Sequence, residues 1–253
     1  MTSAAPTTPA EYWDKYKPYR AEGEQPRPAA AAFDWTGPAD GGPGAELLGT
    51  PTTALDLGPA EGENAAFLAR AGVEVTAVDF SAAQVERARL LWAGEPRLTF
   101  LHAEACAFLE TGTSRFDAIY STWGAVWYTD PDELFPRVAA RLAPGGVFAF
   151  SHREPVAGHY GAQQMGGKWL EGRESEPTVW RWQYGPEQWA DILKRHGFTA
   201  IHARVLPNPD PAALGRSWSP PPSPPEALLG CSSGSATVGP RVDPAARALC
   251  FRP

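Results

Sequence analysis

The chain has 253 residues, a formal net charge of −7 and a hydrophobic content of 43%. That suffices for one α/β domain with embellishments, while the acidic balance and the lack of a lysine/arginine cluster argue against a nucleic-acid partner. Cys106, Cys231 and Cys250 have neither metal-ligand spacing nor an even disulfide count, so no metal is expected and a reducing, cytoplasmic setting fits. Residues 1–6 lack the basic and apolar regions of a signal peptide, and no apolar run is long enough to span a bilayer.

Residues 1–50 read as an N-terminal lid helix and linker. Tyr12, Trp13, Tyr16 and Tyr19 recur at helical spacing, a stripe that either packs into a core or covers a ligand crevice. Residues 21–50 are rich in Gly, Pro and Ala, with Phe33-Asp34-Trp35 as their one adhesive patch.

The segment 54–64 (ALDLGPAEGEN) is an apolar run, a glycine turn and the start of an amphipathic helix carrying Ala65, Phe67, Leu68 and Ala71. Gly58 and Gly62 remove Cβ atoms where backbone turns sharply and approaches a ligand. A second apolar strand, with Val73, Val75, Ala77 and Val78, ends at Asp79, where a carboxylate can accept from ribose hydroxyls. Strand, turn, helix, strand and acid in this order point to a nucleoside-containing cofactor.

Charge discriminates among such cofactors. Asp56, Glu61 and Glu63 surround the turn, and Ala60 stands where a dinucleotide fingerprint has its middle glycine. Carboxylates there would repel a pyrophosphate but suit a phosphate-free ligand with cationic groups, such as S-adenosyl-L-methionine (SAM). Alternatively, Glu61 and Glu63 only complement the helix dipole. An NAD(P)-dependent oxidoreductase or a non-catalytic nucleoside-binding module would share the glycine turn.

Further along, Phe80 either stacks on an adenine face or closes the core. Ser81 caps a helix over 82–93. A third strand over 98–101 leads to Glu104, which either accepts from an adenine amino group or sits at a helix N-terminus. A fourth strand covers 116–121, a proline-initiated helix about 131–142, and a fifth strand 146–151. This alternation argues for a parallel sheet covered on both faces.

Asp56-Leu57-Gly58-Pro59-Ala60-Glu61-Gly62, Asp79 after a strand, Glu104, Phe116-Asp117-Ala118-Ile119 and Leu142-Ala143-Pro144-Gly145-Gly146 resemble, in order and spacing, the motifs of class I SAM-dependent methyltransferases. The resemblance covers roughly residues 50–205; Ala60 and Glu104 depart from the commoner glycine and aspartate. It implies a doubly wound, mostly parallel seven-stranded α/β sheet with helices on both faces, strand seven being antiparallel or disrupted. It also implies that Gly58 and Gly62 border the methionine portion, Asp79 holds the ribose, Phe80 flanks the adenine, Glu104 meets its amino group and Ser121 approaches the sulfonium. With Asp56 and Ala105 these form the expected cofactor set. The SAM-binding domain is expected over 51–206, with a substrate-cap insertion at about 153–185.

The expected substrate side is aromatic: Tyr16, Trp123, Trp127, Tyr128, Tyr160 and Trp182, together with His152. His152, just past the fifth strand, is the candidate general base, the alternative being a histidine that bonds a neighbouring loop. The acceptor is an oxygen or nitrogen on a small molecule or short peptide, and the resemblance and aromatic content suggest natural-product biosynthesis. Residues 178–184 alternate as a strand with one aromatic face, and a helix over 187–196 ends at Gly197 before a sixth strand at 198–206.

Residues 207–253 form a Pro/Ser/Gly-rich tail whose composition disfavours order. Restoring one base after Gly215 would regenerate an apolar strand, so the tail reads as a frameshifted, non-native end. In the competing reading, Ala248-Leu249-Cys250-Phe251 is the seventh strand, reached by a long loop and paired between strands five and six.

Overall fold

The structure, a computed structural model, describes residues 9–14, 32–35, 43–155, 158–166, 178–205 and 247–251. Its centre is a parallel sheet in which β1 (Thr53–Leu57) pairs with β2 (Glu74–Asp79) and β4 (Phe116–Thr122), β2 with β3 (Leu98–His102), and β4 with β5 (Leu142–Ser151). The spatial order 3-2-1-4-5 reverses direction at β1, so the crevice opens between the C-terminal ends of β1 and β4.

Alternate residues of each strand feed opposite faces. Leu55, Leu57, Ile119, Phe148 and Phe150 pack under α4 (Ala105–Thr111), α6 (Pro131–Arg141) and α7 (Pro186–Arg195), with Phe135 and Trp189 as the bulkiest contributors. Ala54, Ala118, Tyr120 and Ala149 face the other way, against α2 (Glu63–Arg70) and α3 (Ala82–Leu91). The linker patch joins this second core: Trp35 and Phe33 are buried against Tyr120, and the Asn64 amide both accepts from Asp34 N (2.9 Å) and donates to Asp34 O (2.7 Å).

Beyond β5 lie β9 (Arg247–Phe251) and then β8 (Thr199–Ala203). The slot expected to hold an antiparallel strand is therefore occupied by a parallel one, with Val147 paired to Arg247 and Ser151 to Phe251. This is the pairing that the long-loop reading of the tail requires. Antiparallel neighbours can be joined by a hairpin, whereas a parallel strand needs the chain to return to the starting edge, and the long connection from Ala203 to Arg247 gives it the length. The cap is an antiparallel hairpin of β6 (Gly161–Gly166) and β7 (Thr178–Gln183). The N-terminal helix α1 (Pro9–Asp14) lies on the N-terminus of α3; Tyr16 and Tyr19 fall outside the described residues.

Gly62 caps α2 with φ +78°, and a Cβ there would lie 2.5 Å from Cζ of Phe100. Gly62→Ala should therefore destabilise the fold by about 2–4 kcal/mol. A denaturant midpoint unchanged from the parent would mean that the Phe100 ring yields freely.

Candidate functional site

The first turn is shaped by backbone geometry. Gly58 (φ +82°) donates from N to Val78 O at 2.9 Å, and Ala60 is held at φ +49° with its N–H donating to Asp79 Oδ2 at 3.2 Å. A Cβ on Gly58 would meet Ala125 N at 2.6 Å and Gly124 Cα at 2.9 Å, because the loop after β4 rests directly on the turn. Ser121 pins that loop: its buried hydroxyl donates to Leu57 O (2.7 Å) and accepts from Val126 N (3.3 Å).

Over the C-terminal ends of these strands lies a cavity of about 640 Å³, in the usual range for small-molecule sites. Gly58, Asp79, Phe80, Glu104 and Ala105 contribute to its lining. So do the rings of Trp13, Trp123, Tyr128, Trp180 and Trp182, with Asp130 and Glu133 at the start of α6. Trp13 reaches over from α1 and meets Tyr128 edge-on at 4.5 Å between ring centroids.

Asp79 is buried at 9% exposure and also accepts from Ser81 N at 2.9 Å. Burial pushes its carboxyl up to about 6, against the pull of the Ser81 and Ala60 N–H groups; the Asp14 charge raises it further. Asp14 is held close because its Oδ1 accepts from the Ser81 hydroxyl at 2.6 Å, which fastens α1 beside the ribose-type acid. Glu104 lines the cavity while both of its oxygens accept from the first turn of α4, from Cys106 N (2.9 Å) and Ala107 N (2.8 Å). The two sequence readings of Glu104 are thus compatible.

Several expected residues stand elsewhere. Asp56 is 1% exposed beneath the cavity, where burial raises its carboxyl to about 8 despite the Tyr120 hydroxyl beside it. Neither Glu61 nor Glu63 lines the cavity, and Gly62 faces Phe100. The acidity that the sequence places at the turn comes instead from Asp79, Glu104, Asp130 and Glu133. Ser121 is closed off under the loop. Trp127 is 5% exposed and stacks on His152 with centroids 5.8 Å apart; His152 is itself 1% exposed and bonds Arg153 O through Nδ1. Tyr160 is 47% exposed and off the lining, and Tyr16 lies outside the described residues. Sequence reasoning singled out neither Asp130 nor Glu133, because an acid before a proline-initiated helix reads as a cap, and Asp130 Oδ1 does accept from Asp132 N at 2.9 Å.

The cavity fits an adenosyl sulfonium on its own chemistry: a buried carboxyl, further carboxylates, and no Lys, Arg or His among the described lining residues. Residues 54–146 match the model of a methyltransferase domain. Over that stretch the chain carries a methyltransferase domain. The trans-aconitate 2-methyltransferase of Methylobacterium radiotolerans is 39% identical over 122 residues, 46% of this chain and 45% of that protein. The demethylmenaquinone methyltransferase of Clavibacter sepedonicus is 35% identical over 92 residues, 36% of this chain and 37% of that one. The chain thus spans less than half the length of these curated relatives. A solved structure of a candidate SAM-dependent methyltransferase from Listeria monocytogenes shares the fold, with a TM-score of 0.54 at 18% identity over 70% of this chain and 88% of that one. Within the methyltransferase domain, no described helix is long and apolar enough to cross a membrane.

Proposed function

We propose that the chain transfers a methyl group from SAM to an oxygen or nitrogen of a small molecule or short peptide, in natural-product biosynthesis. The observation that carries this is a single cavity lined both by Asp79 and Phe80 and by the rings of Trp13, Tyr128 and Trp182. Asp79 would hold the ribose hydroxyls, Phe80 and Ala105 would flank the adenine, and Gly58 with Ala60 would border the methionine portion. When bound, SAM supplies a methyl group already activated on a sulfonium. The protein's work is then to align the acceptor and keep water out; Trp13, Trp123 and Tyr128 wall the cavity, with α1 as a lid over it. The opposing reading, a nicotinamide cofactor, would put a pyrophosphate in a lining whose charged residues are all acidic. Calorimetry should show S-adenosylhomocysteine binding and no NAD binding; the reverse result would overturn the assignment.

His152 enters this scheme as the support of Trp127 rather than as a reacting group, since its ring is enclosed between Trp127 and Trp189. His152→Phe keeps a ring in that stack and should leave turnover within a few-fold. A loss of about 100-fold, the scale of general-base catalysis, with unchanged S-adenosylhomocysteine affinity would restore the histidine as the base.

A further inference from the structure

Together with its aromatic walls, the cavity carries two carboxylates from the start of α6, Asp130 and Glu133, and no cation among the described lining residues. Asp130 is fixed in direction, because one of its oxygens caps α6 through Asp132 N. Glu133 sits three residues on, in the same first turn. Asp132, the third acid of that turn, pairs with Arg195 (3.0 Å), lies 2.7 Å from His196 Nε2 and does not line the cavity. Arg153 and Arg181 lie over the rings of Trp123 and Trp127, 5.8 and 5.7 Å from their centroids, and also stay off the lining. The α6 N-terminus contributes only a fraction of a positive charge, which two whole carboxylates outweigh. Ring faces and carboxylates together attract a cation and repel an anion.

From this juxtaposition we infer that the methyl acceptor is a protonatable amine on an apolar or aromatic body, held by Asp130 and Glu133, and is not a polycarboxylate. The inference rests on the methyl-transfer reading and narrows its acceptor. It also separates this chain from relatives named for trans-aconitate, an acid that would meet like charge here. The bound ammonium releases one proton to water; its nitrogen lone pair forms the new C–N bond as the methyl–sulfur bond breaks, leaving that electron pair on sulfur and the positive charge on the methylated amine.

The test uses the full chain saturated with S-adenosylhomocysteine and three probes titrated by calorimetry: tyramine, its carboxylate isostere 3-(4-hydroxyphenyl)propionate, and trans-aconitate. Tyramine should bind about tenfold or more tighter than either acid, and its affinity should fall as salt rises. Asp130→Asn, which keeps a competent helix cap, and Glu133→Gln should each shrink that preference several-fold while leaving S-adenosylhomocysteine affinity unchanged. Equal binding of the isosteres, tighter binding of trans-aconitate or no tyramine binding would overturn the inference. Failure of S-adenosylhomocysteine to bind would instead strike the methyl-transfer reading, and the ranking of probes on the cofactor-free chain would still decide the charge preference.

Discussion

Asp79→Ala should weaken S-adenosylhomocysteine binding by roughly 10- to 100-fold, the value of a charge-assisted hydrogen-bond acceptor in a buried setting. The substitution also releases Ala60 N and Ser81 N, which the carboxyl holds at 3.2 and 2.9 Å, so the turn loosens along with the lost contact. The pH dependence has a definite sign. Asp79 sits at about 6 in the cofactor-free protein because burial disfavours its charge, whereas hydroxyl donors arriving from a ribose favour the ionised form. Binding therefore expels a proton, and affinity should rise as pH increases through about 6 and level off above it. Calorimetry between pH 5 and pH 8 should show this slope in the parent and a flat profile in Asp79→Asn. A flat parent profile would place the ribose elsewhere.

Asp56→Asn should stabilise the protein, most strongly in mild alkali. The Asp56 carboxyl is raised from 3.8 to about 8 by burial, with Tyr120 opposing and the Asp79 charge adding to the rise. Below about pH 4 it is protonated in both the folded and unfolded chain and adds nothing to the pH dependence. Between about 4 and 8 the unfolded chain has released the proton while the folded one retains it, so stability falls by about 1.4 kcal/mol per pH unit and flattens above 8. The whole window amounts to roughly 5 kcal/mol. An amide of the same shape removes that titration, so the melting temperature of Asp56→Asn should exceed the parent's by on the order of 10 °C at pH 8 and converge with it near pH 4. Parallel melting curves across that range would show that the carboxyl is ionised and solvated in the folded state.

The contrast between Asp56 and Asp79 illustrates how the chain can be read. Both acids end or interrupt apolar strands beside the glycine turn, and the linear pattern ranks them alike. The pleat sends Asp56 down among Tyr120 and its neighbours, while Asp79, at the strand terminus, reaches the cavity. Glu104 was legible as a helix cap, and the same strand-end position puts it on the cavity lining. Trp180, singled out only as part of an alternating aromatic strand, reaches the cavity with Trp182 because the β6–β7 hairpin folds back over the sheet. His152 had the correct strand end and the wrong surroundings, since Trp127 and Trp189 close over it.

The sequence by itself determined the strand-and-helix alternation, the glycine turn and the acid after β2. These follow from side-chain period, from positive φ at Gly58 and Gly62, and from local charge, all of which act over a few neighbouring residues. Only the tertiary structure decided which acids and rings line the cavity: Asp79 over Asp56, Asp130 and Glu133 over Glu61 and Glu63, Trp13 and Trp182 over Trp127. Those choices depend on how α1, the loop after β4 and the cap hairpin pack against one another, and close packing between segments distant in the chain leaves no periodic trace in the order of residues.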